Sequence, residues 1–323
     1  MDLIFTNANR VDQGVLHSYS FDLSFGEKEN DFEIVLGGDE ARLEYGAFVY
    51  IEGTEYGGIV DAMKASTIAE DITYTGRTWH GMLNSKVIRP DTGEDYLIVS
   101  GEANSILATL LNRLGLTGFF VASENDSGIE IEEYQFKRYC MGYEGITAML
   151  SENGAKLKLV WKNRVVHLSA VPVVDYTEAP VDGDVARLNV LQHGKKVNHL
   201  VCLGRGELAE RQIVDLYVDK DGNIVDKQYF TGIDEYAKTY ENTSAESLKD
   251  LKKTGKEQLK KLLDVDAAEI SIVESNELVY DIGDIVSATD AERTRMTVSA
   301  KVAQKIVRIN NGLISTEYQT GSE

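Results

Sequence analysis

The chain has 323 residues, which at roughly 100 to 200 residues per domain predicts two or three domains. Asp and Glu number 53 against 33 Lys and Arg, and the net charge of −20 argues against a protein that binds nucleic-acid phosphates. Hydrophobic residues make up 43% of the chain, which excludes wholesale disorder.

The cysteines and the apolar segments indicate the cellular location of the protein. Two cysteines, Cys140 and Cys202, exclude a disulfide scaffold and a thiolate-rich metal site, and their apolar surroundings predict buried free thiols. The N-terminus lacks the basic and apolar segments of a secretory signal. The most apolar stretch, residues 105–121, contains Asn112 and Arg113 and is too polar to cross a bilayer. We therefore expect a soluble protein, without membrane insertion, that is made in the cytoplasm.

Residues 15–80 have the pattern of β-structure. Apolar and polar residues alternate over 19–25 and again over 32–36, and the polar segment 26–30 between them predicts a hairpin. Short apolar runs separated by glycines continue the pattern, at residues 48–51, 56–60 and 72–75. Strands this short and closely spaced favour a small barrel or sandwich.

Residues 91–180 predict a compact α+β unit. Apolar residues from Ile106 to Leu114 share one helical face, and Gly115 is a natural C-cap for this helix. A second helix fits residues 143–152. The residues on either side of 162–164 alternate again and predict a second hairpin.

The β-pattern then returns and is interrupted by one long helix. Strands are predicted at 197–203 and 213–218, with Asp219–Asn223 as a hairpin turn. Thr243 and Glu246 form a candidate capping box at the start of the helix. Its leucine stripe is predicted to pack inward, and its six lysines are predicted to form a solvated face.

A weak internal repeat links the two ends of the chain. Tyr45–Val49 resembles Ile282–Val286. Each is followed by a further strand and by a closing strand with a similar ending, Tyr74–Gly76 in one case and Tyr318–Gly321 in the other. The repeat predicts two related β-barrels in one chain.

A search for catalytic and binding motifs finds no site. His193 and His199 flank a glycine turn, but a metal ion would need a third ligand that the spacing does not suggest. Residues 219–223 begin like a calcium loop, but the glycine and the final glutamate of such a loop are not in place, so an Asp-Gly turn explains them better. Gly204–Glu207 lacks the remaining glycines of a phosphate or dinucleotide loop. We predict no catalytic, cofactor-binding or metal-binding residues.

Four segments, in order along the chain, resemble the tail hub proteins of bacteriophages and prophages. They are Phe32–Ile34, then Asp71–Leu83 with Lys86–Ile88, then Gly204–Arg211, and finally Tyr280–Val286. The last resembles the closing Tyr-x-x-Gly-Asp-x-Val element of that family most closely. Leu208 stands where the third glycine of the third segment is often found.

The resemblance implies a role at the tail tip. Hub proteins of this kind are homotrimers in which each subunit contributes two small tail-tube-like β-barrels, so three chains form a pseudo-sixfold ring. The implied function is a non-enzymatic structural baseplate hub that joins the tail tube to the tip and lets DNA pass. The implied partners are the tail tube or distal tail protein, a spike, fibre or tip protein, and the tape measure protein. The implied location is the virion tail, after synthesis in the bacterial host cytoplasm.

The predicted fold class is therefore a β-rich α+β multidomain protein. Its predicted domains are a first barrel at 1–90, which residues 165–185 would complete, an inserted α+β domain at 91–180, a second barrel at 181–218 plus 266–323, and a hairpin-helix insertion at 219–265. Two alternative functions stay open: a tail-tip cell-wall hydrolase, and a host-surface carbohydrate-binding module suggested by the 16 tyrosines.

Overall fold

The structure is a computed structural model, and it describes residues 2–66, 68, 70–182, 186–191, 195–263, 267–273, 279–290, 292 and 295–321. The chain forms two compact units. The first comprises residues 1–188 and 269–321, and the second comprises residues 189–268. Strands predominate in both, so the chain is a β-rich α+β protein. Among the described residues, no helix has the length and apolarity needed to cross a membrane.

The first unit begins with an antiparallel sheet. Its elements are β1 (Leu3–Thr6), β2 (Asp12–Leu16), β3 (Tyr19–Gly26), β4 (Asp31–Leu36), β5 (Phe48–Tyr50), β6 (Gly57–Ala65), β7 (Ile72–Thr78) and the short helix α1 (Trp79–Asn84). The strands lie in the order β3-β4-β7-β6-β5-β1-β2. The predicted hairpin is confirmed, since Phe21 of β3 stands opposite Ile34 of β4. Both side chains are buried because the alternating pattern turns them to the same face.

An α+β part follows within the same unit. Its elements are β8 (Ile98–Glu102), α2 (Ala103–Arg113), β9 (Phe120–Ala122), β10 (Glu130–Gln135), α3 (Gly142–Glu152), β11 (Ala155–Lys162) and β12 (Val165–Pro172). Both predicted helices and the predicted second hairpin are confirmed. The indole rings of Trp79 and Trp161 stack with centroids 4.9 Å apart, so this part shares a hydrophobic core with α1 and β5.

The chain leaves the first unit after β13 (Val181–Asp182) and along β14 (Ala186–Leu191). The second unit contains β15 (His199–Leu203), β16 (Ile213–Val218), β17 (Ile224–Val225), β18 (Ala237–Glu241) and α4 (Leu248–Leu263). Its sheet has the order β17-β16-β15-β18, and Leu251 and Leu259 of α4 lie in its core. β15 and β16, grouped with the closing strands in the sequence analysis, therefore pair within this separate sheet.

The turn at Asp219–Asn223 is confirmed, but the predicted start of α4 is wrong. The helix begins at Leu248, where Ser247 Oγ accepts a hydrogen bond from the Asp250 N–H and the Asp250 carboxylate accepts one from the Glu246 N–H, both at 3.2 Å. Ser247, which caps the helix in this way, lies four residues beyond the predicted box at Thr243.

The chain returns to the first unit through β19 (Ala267–Val273), β20 (Ile285–Asp290), β21 (Met296–Asn310) and β22 (Leu313–Thr320). These strands continue the first sheet in the order β14-β19-β22-β21, and β20 pairs with the N-terminal part of β21. The two ends of the unit thus contain the same arrangement, β3-β4-β7-β6-β5 in one and β14-β19-β22-β21-β20 in the other.

Hydrogen bonds match between these two sheets, which we call the first and second repeats. In the first repeat, the Gly46 N–H donates to the Val60 carbonyl at 2.8 Å and the Val60 N–H donates to the Ala47 carbonyl at 2.9 Å. In the second, the Gly283 N–H donates to the Val302 carbonyl at 2.8 Å and the Val302 N–H donates to the Asp284 backbone carbonyl at 2.8 Å. The sequence similarity around Gly46 and Gly283 is therefore matched by equivalent backbone pairing.

The long strands of the two repeats also bulge at the same place. The β6–β7 register shifts between Val60 and Ala62, and the β21–β22 register shifts between Val302 and Gln304. Tyr74 and Tyr318 then occupy equivalent positions, opposite Met63 and Lys305 respectively. This alignment makes residues 62–66 the counterparts of residues 304–308.

Candidate functional site

Among the described strands, one pair joins the two repeats, the C-terminal half of β21 and β3. We call this pair the repeat joint. Gln304 stands opposite Gly26 at one end of this joint. The buried amide of Gln304 donates to Ser24 Oγ at 2.7 Å and to the Glu29 carbonyl at 2.9 Å, and it accepts from the Lys28 N–H at 3.0 Å. The backbone hydrogen bonds between β21 and β3, together with the hydrogen bonds of the Gln304 side-chain amide, therefore hold the repeats together.

A buried ammonium group lies at the repeat joint. Lys305 Nζ is 2.7 Å from Glu55 Oε1 and lies 5.5 to 5.8 Å from the ring centroids of Phe25, Tyr56 and Tyr318. Burial opposes the charge, but the neighbouring Glu55 carboxylate outweighs it and raises the pKa of Lys305 above its ordinary value. The charge is thus satisfied by one carboxylate and three aromatic faces.

The imidazole of His80 lies beside this ion pair. It stacks on Phe25 with centroids 4.6 Å apart, and its Nε2 is 3.7 Å from Glu55 Oε2. Complete burial, and secondarily the charge of Lys305, lowers the pKa of His80 to about 3. The ring is therefore neutral at neutral pH and acts as an aromatic packing group.

A second buried charge ties the α+β part to the second repeat. Asp284, from the Tyr280–Val286 segment, is buried, and its Oδ1 accepts from Lys156 Nζ at 2.6 Å and from the Val174 N–H at 2.9 Å. Its Oδ2 accepts from the Asp281 N–H at 2.9 Å. Lys156 Nζ also donates to Asp281 at 3.1 Å. This acidic residue of the motif therefore links β11 to the turn before β20 through a buried ion pair.

The Gly76-Arg77 pair of the second segment that resembles hub proteins has a packing role. A Cβ on Gly76 would lie 1.8 Å from the Ile59 carbonyl oxygen, so only glycine fits where β7 passes β6. The Arg77 guanidinium binds Asp61 through two contacts of 2.7 Å, and it lowers the pKa of that carboxyl group.

We expect Gly76→Ala to destabilise the first unit by about 1–3 kcal/mol, because the backbone of β6 must move away from the new methyl group. Gly118→Ala is the control, since a Cβ there would meet no atom within 4 Å, and we expect its effect to stay within about 0.5 kcal/mol. Urea unfolding followed by tryptophan fluorescence measures both. Equal urea midpoints for Gly76→Ala and Gly118→Ala would contradict the packing role of Gly76.

The Gly204–Arg211 segment lies in the second unit and forms a tight turn. A Cβ on Gly206 would lie 2.5 Å from the Glu210 carbonyl oxygen. Leu208, which replaces the third glycine of the family pattern, has a φ of 51° and an exposed side chain. The position thus keeps the left-handed conformation that favours glycine.

The candidate metal ligands that the structure describes make other contacts. His193 lies outside the described residues. His199 is held between Glu235, at 2.6 Å from Nδ1, and Asp215, at 2.8 Å from Nε2, and these carboxylates outweigh burial and raise its pKa. The Asp219 carboxylate accepts hydrogen bonds from its own turn. Within the described ranges, no group of three or more His, Cys, Asp or Glu side chains is arranged to hold a metal ion.

Both cysteines are free thiols, but they differ in burial. Cys202 is buried, as predicted, whereas Cys140 is only half-buried. Burial raises the pKa of both thiols, and it raises that of Cys202 to about 11. Their sulfur atoms are therefore protonated at neutral pH.

An acidic groove lies over β3, β4 and β7. It is lined by several carboxylates and two arginines, namely Asp22, Glu29, Asp31, Glu33, Asp61, Arg77 and Arg308. Partial burial and the charge of Glu29 raise the pKa of Asp31. The groove therefore concentrates part of the negative charge of the chain on the first sheet.

Comparison with known proteins identifies the fold. No family model matches the chain, and no curated protein matches its sequence. Its structure is similar to a prophage MuSo2 43 kDa tail protein from Shewanella oneidensis, with a TM-score of 0.54 and 11% identity over 99% of this chain and 98% of that one. It is also similar to the prophage tail protein gp18 from Listeria monocytogenes, with a TM-score of 0.52 and 13% identity over 100% of this chain and 95% of that one.

A tail protein from Neisseria meningitidis is similar as well, with a TM-score of 0.51 and 14% identity over 99% of this chain and 95% of that one. The resemblance found in the sequence is thus confirmed: the chain has the fold of phage and prophage tail proteins along its whole length. At these identities the fold is what is shared.

Proposed function

We propose that this chain is a structural baseplate hub or tail-tip protein of a phage or phage-derived tail, with no catalytic activity. Two observations support the proposal: the fold shared with tail proteins, and the repeated strand order within the chain. The repeat is the observation that carries it, because a duplicated sheet gives one polypeptide two equivalent positions in a ring.

In the proposed assembly, three copies form a homotrimer whose six sheets have pseudo-sixfold order. Such a ring matches the hexameric tail tube, so the tube or a distal tail protein binds above it. A spike, fibre or tip protein binds below, the tape measure protein is a further neighbour, and DNA passes through the centre. The protein is then made in the host cytoplasm and located at the tail tip of the virion.

We further propose that the two repeats are the two small barrels of a hub subunit. The limits at 1–90 with 165–185, and at 181–218 with 266–323, stay a prediction, as do the insertions at 91–180 and 219–265. The pairing of β15 and β16 with β17 and β18 favours a longer second insertion.

The charge distribution is consistent with a channel. A net charge of −20 per chain is tripled in a trimer, and carboxylates repel the phosphates of passing DNA. We propose that the acidic groove over β3, β4 and β7 faces the channel. An image of the ring in which this groove faces outward would refute that orientation.

Mass measurement in solution followed by negative-stain imaging tests the proposed function. We expect a mass of three chains at raised protein concentration, and rings with six lobes around an opening. A zymogram on purified peptidoglycan is expected to stay blank, whereas clearing would favour the hydrolase. Particles that remain single chains at every concentration would argue against the ring.

A further inference from the structure

A cavity of about 410 Å³ lies within the first unit, next to the repeat joint. One wall is the face of α3 that carries Glu144, Thr147 and Ser151, which are neighbours on the helix at spacings of three and four. The other walls come from the turn after β3, from β11, from the Gly283 turn and from β21. Cavities of this size are typical of sites that bind small molecules.

The cavity contains a half-buried ammonium group without a carboxylate partner. Lys301 of β21 donates to Ser151 Oγ of α3, and in the described part of the chain no Asp or Glu forms an ion pair with it. Both lysines that are buried there, Lys156 and Lys305, do bind a carboxylate, at 2.6 and 2.7 Å. Withdrawing a charge from water without a counter-charge is unfavourable. The surroundings of Lys301 therefore favour a bound anionic group.

The first repeat has an apolar residue at the position of Lys301. Ile59 stands opposite Phe48 before the bulge of the first repeat, and Lys301 stands opposite Ile285 before the bulge of the second. Ile59 packs against the hydrophobic core that contains Phe48, whereas Lys301 lines the cavity. The shared fold of the repeats therefore does not require a charge at this position, and the ammonium group needs another explanation.

A carboxylate without an ion-pair partner lines the same cavity. The Glu27 N–H donates to the Ala303 carbonyl at 2.9 Å, which holds Glu27 beside β21. A Cβ on Gly321 would lie 3.4 Å from Glu27 Oε2, and the Gly321 N–H donates to the Lys301 carbonyl at 3.2 Å. The carboxylate thus lies close to β21 at Lys301, but among the described residues no cation pairs with it. One positive and one negative group therefore face the cavity without neutralising each other.

The signs of the lining charges indicate the class of ligand. Glu27 repels a simple anion and Lys301 repels a simple cation, whereas a molecule that carries both charges satisfies both groups. The remaining charged residues of the lining are balanced as well. Lys137 and Glu144 are exposed and of opposite sign, and Lys156 is neutralised within its own buried ion pair. The cavity therefore favours a ligand with one charge of each sign.

We propose that the cavity binds a zwitterionic ligand of the amino-acid or short-peptide class, with its carboxylate on Lys301 and its ammonium group on Glu27. The hydrogen bond to Ser151 positions the Lys301 side chain, and charge-assisted hydrogen bonds to carboxylates are among the stronger ones. Leu157 and Val302 supply apolar contacts for the rest of the ligand. Because the cavity lies within one unit of one chain, binding does not require the proposed ring.

An NMR titration that follows the ligand signals in the presence of the full chain tests the site, with L-alanyl-L-alanine as the probe. N-acetyl-L-alanyl-L-alanine lacks the ammonium group, and L-alanyl-L-alanine amide lacks the carboxylate. We expect the free dipeptide to bind, and each blocked dipeptide to bind about tenfold or more weakly, because each loses one charge-assisted contact and leaves a lining charge unpaired.

Variants of the two charged residues locate the site. Lys301→Met removes the ammonium group and keeps most of the side-chain length, and Glu27→Gln removes the negative charge and keeps the size. Both should weaken binding of the free dipeptide about tenfold or more. Lys301→Met should also bind the free dipeptide and its amide equally, because the group that distinguishes them is gone. Lys64→Met makes the same exchange at an exposed lysine of β6 outside the cavity, so it should leave binding unchanged.

Three results would overturn the proposed site. They are equal binding of the free and blocked dipeptides, equal binding by the native chain and Lys301→Met, and no binding of the free dipeptide at about 10 mM, a concentration that nearly fills a site with a millimolar Kd. If Lys301→Met does not fold, the comparison of the three dipeptides on the native chain, together with Glu27→Gln, still decides the matter. The proposed tail function is tested separately, by solution mass and imaging of rings.

Discussion

Asp284→Asn is expected to lower the free energy of unfolding of the first unit by about 3–5 kcal/mol, because it leaves the Lys156 ammonium buried without its nearest carboxylate. Asn keeps the size of the side chain and one carbonyl oxygen, so the loss comes from the charge. Asp281 remains 3.1 Å from Lys156 Nζ, but its side chain is 38% exposed and compensates only in part. The lower end of the range is therefore expected.

Urea unfolding followed by tryptophan fluorescence measures this effect in the relevant unit, because both tryptophans, Trp79 and Trp161, are buried in the first unit. Adding Lys156→Met to Asp284→Asn should restore part of the loss, since the unpaired buried charge is then removed.

A surface ion pair of similar length is the matched control. Arg113 Nη2 is 2.7 Å from Asp91 Oδ1, and the Asp91 side chain is 65% exposed. Asp91→Asn should cost less than about 1 kcal/mol, because solvent screens an exposed pair. Equal losses in the free energy of unfolding for Asp91→Asn and Asp284→Asn would mean that the buried ion pair of Asp284 does not stabilise the first unit as its contacts indicate.

Local sequence signals correctly predicted those parts of the fold that local chemistry determines. Gly46 and Gly283 both adopt a positive φ at the turn before a strand, and each is flanked by a similar run of apolar residues. Such a turn with its strand repeats as a recognisable pattern, and the two copies have equivalent backbone pairing. The helices 103–113 and 142–152 were predictable for the same reason, since each has its own apolar face and a glycine beyond its end.

The parts that were missed depend on contacts between distant residues. Glu55 and Lys305 are 250 positions apart, and Lys156 and Asp284 are 128 apart, so no local spacing reveals either pair. One signal was available: Lys305 takes an inward place in the alternation with Val307 and Ile309, where a charge requires a buried partner. The partner itself follows only from the assembled sheets.

The start of α4 and the pairing of β15 show two further limits of sequence reasoning. Ser247 with Asp250 caps the helix as well as Thr243 with Glu246 would, and Arg205 binds the carbonyls of Thr243 and Ser244 instead. The sequence thus contains two adequate local capping signals, and their spacing does not show which of them starts the helix. The apolar-polar alternation of β15 and β16 fits either sheet equally well, so the pattern does not show which sheet these two strands join.

Acid is expected to destabilise the first unit through His80. Its pKa is about 3 in the folded chain, whereas an unfolded histidine titrates near 6.5. Between these values the unfolded chain binds a proton that the folded chain does not, so the stability contributed by the neutral ring is complete above about pH 6.5 and is lost as pH falls toward 3. From about pH 7 to about pH 5 the expected loss from this one group is about 2 kcal/mol.

The measurement compares the native chain with His80→Phe, in which a ring can still stack on Phe25 but nothing titrates at this position. Urea unfolding at pH 7 and at pH 5, again by tryptophan fluorescence, should show the native chain losing about 2 kcal/mol more than the variant. His17→Gln exchanges an exposed histidine of the same unit and is the substitution control. If the free energy of unfolding of His80→Phe falls as much as that of the native chain, carboxylates rather than the buried imidazole govern acid sensitivity. The variant lacks that imidazole, so the imidazole could not cause its fall.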